Sequence, residues 1–207
     1  MIYCIRHGET DWNRTMRIQG ASNIPLNSLG RQQAVAVAER MKDMPIEVLY
    51  ASDLDRAHDT AQQIALVKGM EVISSETLRE RSFGDLEGKT RDEVNEFFGG
   101  DRSYWSEGGR FGIESMEDLE ERAFQAIQQI AEREPGKRVA IVSHGAFINA
   151  FIARITNGEN GSGKLRLDNT SICSFTYTDG KWEIVSLNDC EHLYKPVSVP
   201  RPGNTLK

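Results

Sequence analysis

Apolar residues follow two rhythms along the chain. Short unbroken runs at 2–5, 48–51 and 138–143 predict strands, and the last, apolar almost throughout, is the kind of run that a strand buried on both faces shows. Between them apolar positions recur at helical spacing. Leu29, Val37, Ala38 and Met41 form one stripe, and Leu54, Ala57, Ala61, Ile64 and Ala65 form another over about 53–67, a helix that Ser52 can cap. Thr90 and Glu93 make a capping-box pattern ahead of Val94, Phe97 and Phe98. Ser115 can cap a long helix to about Arg133, which Pro135 and Gly136 end, and a further helix is predicted over 146–156. Ile172–Thr178 and Trp182–Leu187 flank Asp179-Gly180, the signal of a hairpin at a sheet edge.

Strands alternating with helices predict an α/β fold, a three-layer sandwich with a mostly parallel central sheet flanked by helices. One domain over residues 1–193 accounts for the pattern, with 194–207, rich in Pro from Pro196 on, as a loose C-terminal tail. The least regular zone, about 84–114, reads as a cap insertion. It holds two Gly-Gly pairs and five aromatics: Phe97, Phe98, Tyr104, Trp105 and Phe111. These can fill a subsidiary core or line a substrate cap, with Phe97, Tyr104 and Trp105 as the candidate cap contacts.

Composition narrows the partners. Against 31 acidic residues stand 25 basic ones, a formal charge of −6, which argues against nucleic acid and anionic membrane as partners, since either needs a net basic face. No apolar stretch reaches the about 20 residues of a membrane span, and the first run is broken by Arg6 and His7, too soon for an export signal. The three cysteines, Cys4, Cys173 and Cys190, have no disulfide-framework or metal-site spacing. A cytoplasmic protein with reduced thiols is expected, Cys4 and Cys173 packing in the core, the chain acting as a monomer or homodimer.

The candidate chemistry lies where strands end. The first run leads into Arg6-His7-Gly8, the second into Ser52 and on to Arg56, and the third into His144-Gly145. In an open α/β sheet the carboxyl ends of strands border the ligand crevice, so the three clusters should converge. Glycine after each histidine would let a phosphoryl group approach the backbone closely. Arg6, His7, Arg56 and His144 would then form a cationic cup, in which arginine forks hold two oxygens of a tetrahedral oxyanion and an imidazole free of metal attacks phosphorus. Such a cup needs in addition a proton donor for the departing alkoxide.

With these residues the sequence resembles the histidine phosphatase superfamily, in its phosphoglycerate mutase-like branch, over roughly residues 1–190. Arg6 to Asn13 match the family's opening signature, which implies that His7 is the phosphorylated nucleophile and Arg6 a phosphate clamp. Asn13, Gln19-Gly20, Pro25-Leu26 and Leu29-Gly30 match the loop lining the phosphate pocket. Ser52-Asp53-Leu54 with Arg56-Ala57 and Thr60-Ala61 resembles the second motif, Arg56 being its phosphate ligand, and Ser143-His144-Gly145 supplies the second histidine. The run Leu78 to Gly84 is similar to the segment whose glutamate protonates the leaving oxygen, which assigns that role to Glu80. A carboxyl beside an incoming dianion holds its proton more readily, as a general acid must. Where the family often shows Gly-Glu-Ser before its long helix, Gly112-Ile113-Glu114-Ser115 carries an extra Ile, and Asn169-Thr170-Ser171 resembles the segment that supports the second histidine.

The resemblance implies a phosphoglycerate mutase-like fold and a phosphatase of small phosphorylated metabolites that works through a phosphohistidine, with no cofactor and no metal. Its rivals are a bisphosphoglycerate-dependent mutase, for which the cap zone offers only Lys89, Arg91, Arg102 and Arg110 as extra cations, and an inactive binding or regulatory module. Gly158 to Lys164 imitates a nucleotide P-loop, but Leu165 replaces the hydroxyl residue and a helix precedes it, so a plain loop is expected. His58 reads as part of a solvated helix face and His192 as part of the approach to the tail.

Overall fold

A computed structural model describes residues 1–101, 103 and 107–194. Its centre is a six-stranded sheet built from β1 (Ile2–Arg6), β2 (Val48–Ser52), β3 (Ile73–Ser75), β4 (Val139–Ser143), β5 (Ile172–Thr178) and β6 (Lys181–Asp189), in the order β3-β2-β4-β1-β5-β6. The first four run parallel, and β5 and β6 are antiparallel, the hairpin turning at Asp179-Gly180 as the pattern predicts. The helices are α1 (Asp11–Arg14), α2 (Ser28–Lys42), α3 (Asp55–Lys68), α4 (Arg91–Phe97), α5 (Met116–Arg133), α6 (Gly145–Ile155) and α7 (Glu191–Tyr194).

The period-two alternation of the strands divides the core into two faces. Ile5, Leu49, Ala51, Ala140 and Val142 meet the apolar stripes of α2 and α3. Cys4, Tyr50, Val139 and Ile141 meet Leu119, Ala123 and Ile127 of α5 and Phe147, Ile148 and Phe151 of α6. Every residue of β4 is buried, which explains its unbroken apolar run, because helices cover it on both sides. This is the three-layer α/β sandwich that the alternation of elements predicts. Cys4 and Cys173 face each other across β1 and β5 in the core, and burial holds both thiols above their usual range, Cys173 at about 11.

Two local expectations are corrected. Ser52 does not cap α3; it is the last residue of β2, its Oγ accepts from the Leu54 N–H, and the helix starts at Asp55 with Leu54 as a cap that has no side-chain bond. The extended turn lets the chain leave the sheet before the helix begins. His192 does not lie loosely near the tail: it is 6% exposed, with Nε2 3.1 Å from Thr170 Oγ1. Of the predicted tail, 195–207 lie outside the described residues.

Segment 84–114 has a smaller core of its own, in which Leu86, Val94 and Ile113 close on Ile18. The Thr90–Glu93 capping box forms as expected. Ile18 N–H donates to Lys89 O and Gly88 N–H to Ile18 O, so the segment is laced to the loop after α1.

Candidate active site

Parallel pairing sets β2, β4 and β1 side by side with their carboxyl ends at one edge of the sheet. Arg6 lies opposite Ser143, and the His7 N–H continues the ladder to Ser143 O at 3.0 Å, which brings His7 beside His144. The two imidazole centroids are 5.2 Å apart at an interplanar angle of 59°. Arg56 reaches them from the first turn of α3. The three clusters that end the strands thus converge, and His7, His144 and Arg56 are all buried.

Hydrogen bonds assign the tautomers. His7 Nδ1 lies 2.6 Å from Gly8 O, an acceptor only, so Nδ1 carries the proton and Nε2 keeps its lone pair. Arg56 Nε–H donates to His144 Nδ1 at 3.2 Å, so there Nε2 carries the proton, and it has no hydrogen-bond partner among the described residues. Burial, then the charges of Arg56 and Arg6, push His7 well below the usual imidazole range of 6.5. His144 is pushed the same way by burial, then by Arg56, His7, Arg6 and Arg122. Both rings are therefore neutral at pH 7.

The arginines are held from behind. Arg56 also donates from its two terminal nitrogens to Ser22 O at 2.7 Å and Gly20 O at 2.8 Å. Burial lowers it to about 10, which leaves it a cation. Arg6 donates to Leu167 O at 2.6 Å, while its buried Nε has no partner among the described residues. A Cβ at Gly145 would lie 3.4 Å from that Nε, an ordinary contact distance, so Arg6 packs against α6 at Gly145 without a glycine being required there. Gly8 has another purpose than the expected approach of a phosphoryl group: its Cβ would stand 2.5 Å from Gly30 O, and one at Gly30 would stand 2.0 Å from Glu9 O. The matched glycines let the loop after β1 lie directly on the N-terminus of α2.

That loop carries the remaining expected ligands. Thr10 caps α1 in a capping box with Asn13, whose Oδ1 accepts from the Thr10 N–H at 3.1 Å. Thr10 Oγ1 donates to Gln19 Oε1 at 2.9 Å. Gly20 has a positive φ of 54°, and a Cβ there would fall 2.1 Å from Glu87 Oε1, so only glycine fits. Asn169 Nδ2 donates to His7 O at 2.9 Å and Thr170 N–H to Arg6 O at 2.9 Å, so the 169–171 segment braces the backbone of Arg6 and His7.

Glu80 approaches from the opposite side. Its Oε1 accepts from the Phe147 and Arg81 N–H groups, both at 3.0 Å, and its Oε2 from the Ala146 N–H at 3.2 Å. His144 is the N-cap residue of α6 but makes no side-chain cap bond, and the Glu80 carboxylate takes that place at the helix terminus. It is not half of a surface ion pair with its neighbours, because Arg79 pairs with Asp53 and Arg81 Nε donates to Glu114 O.

Sequence reasoning missed three supports. Glu87 accepts from Ala21 N–H, Ser22 Oγ–H and Phe83 N–H, tying the loop behind Arg56 to segment 84–114. Glu114 and Arg122 form a bidentate pair at 2.8 and 2.9 Å. His192 backs Thr170. Only long-range contacts single these residues out; as isolated letters they look like surface charge. Of the expected cap contacts, Phe97 is 61% exposed with its ring on Phe98 and Phe111, and Tyr104 and Trp105 lie outside the described residues. Residues 158–164 form turns after α6, not a strand-to-helix phosphate loop. Among the described residues no group of three or more His, Cys, Asp or Glu is placed to hold a metal.

The chain is similar to known proteins of one family. Residues 2–190 match the histidine phosphatase superfamily (branch 1). The chain is 39% identical over 203 residues to the metal-independent phosphoserine phosphatase of Arabidopsis thaliana, covering 93% of this chain and 82% of that one. It is 35% identical over 205 residues to the probable phosphoglycerate mutase GpmB of Salmonella choleraesuis (strain SC-B67), covering 94% and 95%. Among solved structures it is similar to the phosphoserine phosphatase of Entamoeba histolytica in complex with 3-phosphoglyceric acid, with a TM-score of 0.81, 34% identity, and 93% and 98% of the two chains covered.

Proposed function

Because the chain belongs to the histidine phosphatase superfamily, branch 1, we propose that its cup of Arg6, His7, Arg56 and His144 hydrolyses small phosphomonoesters without a metal. The observation that carries this reading is the pair of buried neutral imidazoles with complementary tautomers. His7 offers a lone pair and His144 an N–H, and two arginines flank them. A tetrahedral phosphoryl group in the cup would accept from His144 Nε2–H and Arg6 Nε–H, two buried donors at the strand tips that have no partner among the described residues. Asn13, Gln19, Gly20 and Gly145 line or shape the same pocket.

His7 Nε2 attacks phosphorus and the bond from phosphorus to the ester oxygen breaks, while Glu80 gives that oxygen a proton. The Gly8 carbonyl, bonded to Nδ1–H, keeps the ring oriented and stabilises the positive charge it acquires. Glu80, now a carboxylate, takes a proton from water; the hydroxide attacks the phosphohistidine, and the electrons of the P–N bond return to His7. Passing the phosphoryl group to a second acid instead of water would be mutase chemistry. Of the extra cations that such an acid would need, Lys89, Arg91 and Arg110 are exposed and Arg102 lies outside the described residues, so none of them supports that rival reading.

Phosphorylated hydroxy acids and amino acids are the first substrates to test, since one relative is named a phosphoserine phosphatase and another was solved with 3-phosphoglyceric acid. We place the reaction in the cytoplasm, on the reduced state expected of the thiols; among the described residues no helix is long and apolar enough to cross a membrane. Residues 1–193 form the proposed catalytic domain, with 84–114 as its cap. Incubation with substrate labelled at phosphorus should leave acid-labile label on His7. His7→Ala should abolish both the label and turnover, a loss of at least about 10³-fold. Turnover retained in that variant would overturn the assignment.

A further inference from the structure

Glu80 has no regular element beneath it. It follows a single 3-10 turn, Glu76–Leu78, and precedes segment 84–114, so neither a ladder nor a helix of its own fixes it. Its backbone is held instead by one side chain of α5. Arg122 donates from Nη1 to Thr77 O at 3.0 Å and to Arg79 O at 2.9 Å, and from Nη2 to Glu80 O at 3.4 Å. Its Nε and Nη2 also grip the two oxygens of Glu114, at 2.8 and 2.9 Å. Glu114 closes the frame from the other side: its Oε2 accepts from Ser82 N–H, and its main-chain oxygen accepts from Arg81 Nε–H. The Arg122 guanidinium further lies 5.5 Å from the ring centroid of Phe147, the residue whose N–H holds the Glu80 carboxylate.

One guanidinium therefore joins both ends of the Glu80 side chain, its backbone on one hand and the helix terminus that receives its carboxylate on the other. A lysine could not do this, because a single ammonium cannot serve a planar carboxylate fork and several carbonyls in fixed directions at once. From this geometry we propose that Arg122, held by Glu114, is the positioning residue for the general acid, setting where the Glu80 carboxyl stands relative to the leaving oxygen. Among the described residues the hydrogen bonds of Arg122 go to Thr77, Arg79, Glu80 and Glu114 and not to His7. The proposal rests on the reading of Glu80 as the acid.

Leaving-group dependence separates this role from a merely structural one. An acid matters for an alkoxide leaving group and little for p-nitrophenolate, which departs without a proton. Arg122→Ala and Arg122→Lys should each lower kcat/KM on phosphoserine or another alkyl phosphate by about 10²-fold, yet lower kcat/KM on p-nitrophenyl phosphate by no more than about 3-fold, because kcat/KM reports the step in which the ester oxygen leaves and not the later attack of water, in which Glu80 acts as base for every substrate. Inhibition by inorganic phosphate should change by less than about 3-fold, since the cup is intact. Glu114→Gln, which keeps the shape of the fork and loses its charge, should move the same ratio in the same direction by about 10-fold, and with Arg122→Lys it carries the test where Arg122→Ala does not fold. Glu80→Gln is assayed in parallel. A selective loss in Glu80→Gln together with equal losses on both substrates in Arg122→Lys and Glu114→Gln would overturn the positioning role alone. Equal losses in Glu80→Gln itself would overturn the acid reading, and the proposal with it.

Discussion

At the tips of β1, β2 and β4 the side chains of His7, Arg56 and His144 are buried and that of Arg6 is half-buried, and their backbones are continuations of sheet ladders or first turns of helices. In segment 84–114 the backbone is held by a core of a few residues, and two of its three described aromatics, Phe97 and Phe111, stand 61% and 37% exposed. In the proposed function both regions serve one site by different means. A ladder sets neighbouring strands about 4.8 Å apart whatever the side chains are, so the tips hold two imidazoles and two arginines in a geometry that small sequence changes do not move. An insertion resting on four apolar side chains can change its outline at little cost to the fold. The strand tips are therefore suited to what is constant in the chemistry, the phosphoryl group, and the insertion to what varies, the leaving group.

The comparison breaks first if the tips tolerate damage. Arg56→Leu removes the donor to His144 Nδ1, Ser22 O and Gly20 O together, and should cost about 3 kcal/mol in urea unfolding and at least about 10²-fold in kcat/KM. Near-normal values of either would mean that the cup is not the rigid part. Next comes pH. His7, His144 and His192 all sit below 6.5 in the folded chain, each chiefly through burial, so below that value the unfolded chain binds more protons than the folded one. Stability should thus be full above about pH 7 and fall from pH 6.5 towards 5, with a smaller slope in His7→Asn. A flat profile over that window would show that the rings are not held neutral.

Glu87 sharpens the boundary between the regions, since it is where the insertion grips the loop behind Arg56. Glu87→Gln retains part of the bonding and should lower kcat/KM by about 10-fold, with loss of about 1 kcal/mol of stability; a change confined to KM would place Glu87 on the substrate side instead. The smallest effect is expected from Phe97→Ala, within about 0.5 kcal/mol of the parent in stability and without effect on small esters. A loss of 2 kcal/mol there would mean that the aromatic cluster is core and not cap.

Much of this was legible in the letters. The apolar runs placed β1, β2 and β4, the stripes placed α2 and α3, and the Asp179-Gly180 turn placed the edge hairpin, because each depends on a local period that survives folding. Two His-Gly pairs directly after apolar runs pointed to the site. β3 was not legible, being three residues long, two of them serines, and mostly exposed. Ser52 misled because a serine before a helical stripe is a sound local signal, and it lost here to a turn that the sheet edge imposes.

By itself, then, the sequence determined which residues could do the chemistry and on which kind of element each would sit, since periodicity and chain order are local properties. Only the tertiary structure decided how they act. The ladder from Arg6 to Ser143 puts His7 beside His144, and Gly8 O and Arg56 Nε choose opposite tautomers for the two rings. Gly8 turned out to face Gly30, Glu80 to cap a helix that begins 65 residues later at Gly145, and Arg122 to hold Glu80 from another element. Each of these is a contact between segments far apart in the chain, and the order of residues along a strand or helix carries no record of which distant atoms will fill its unpaired donors and acceptors.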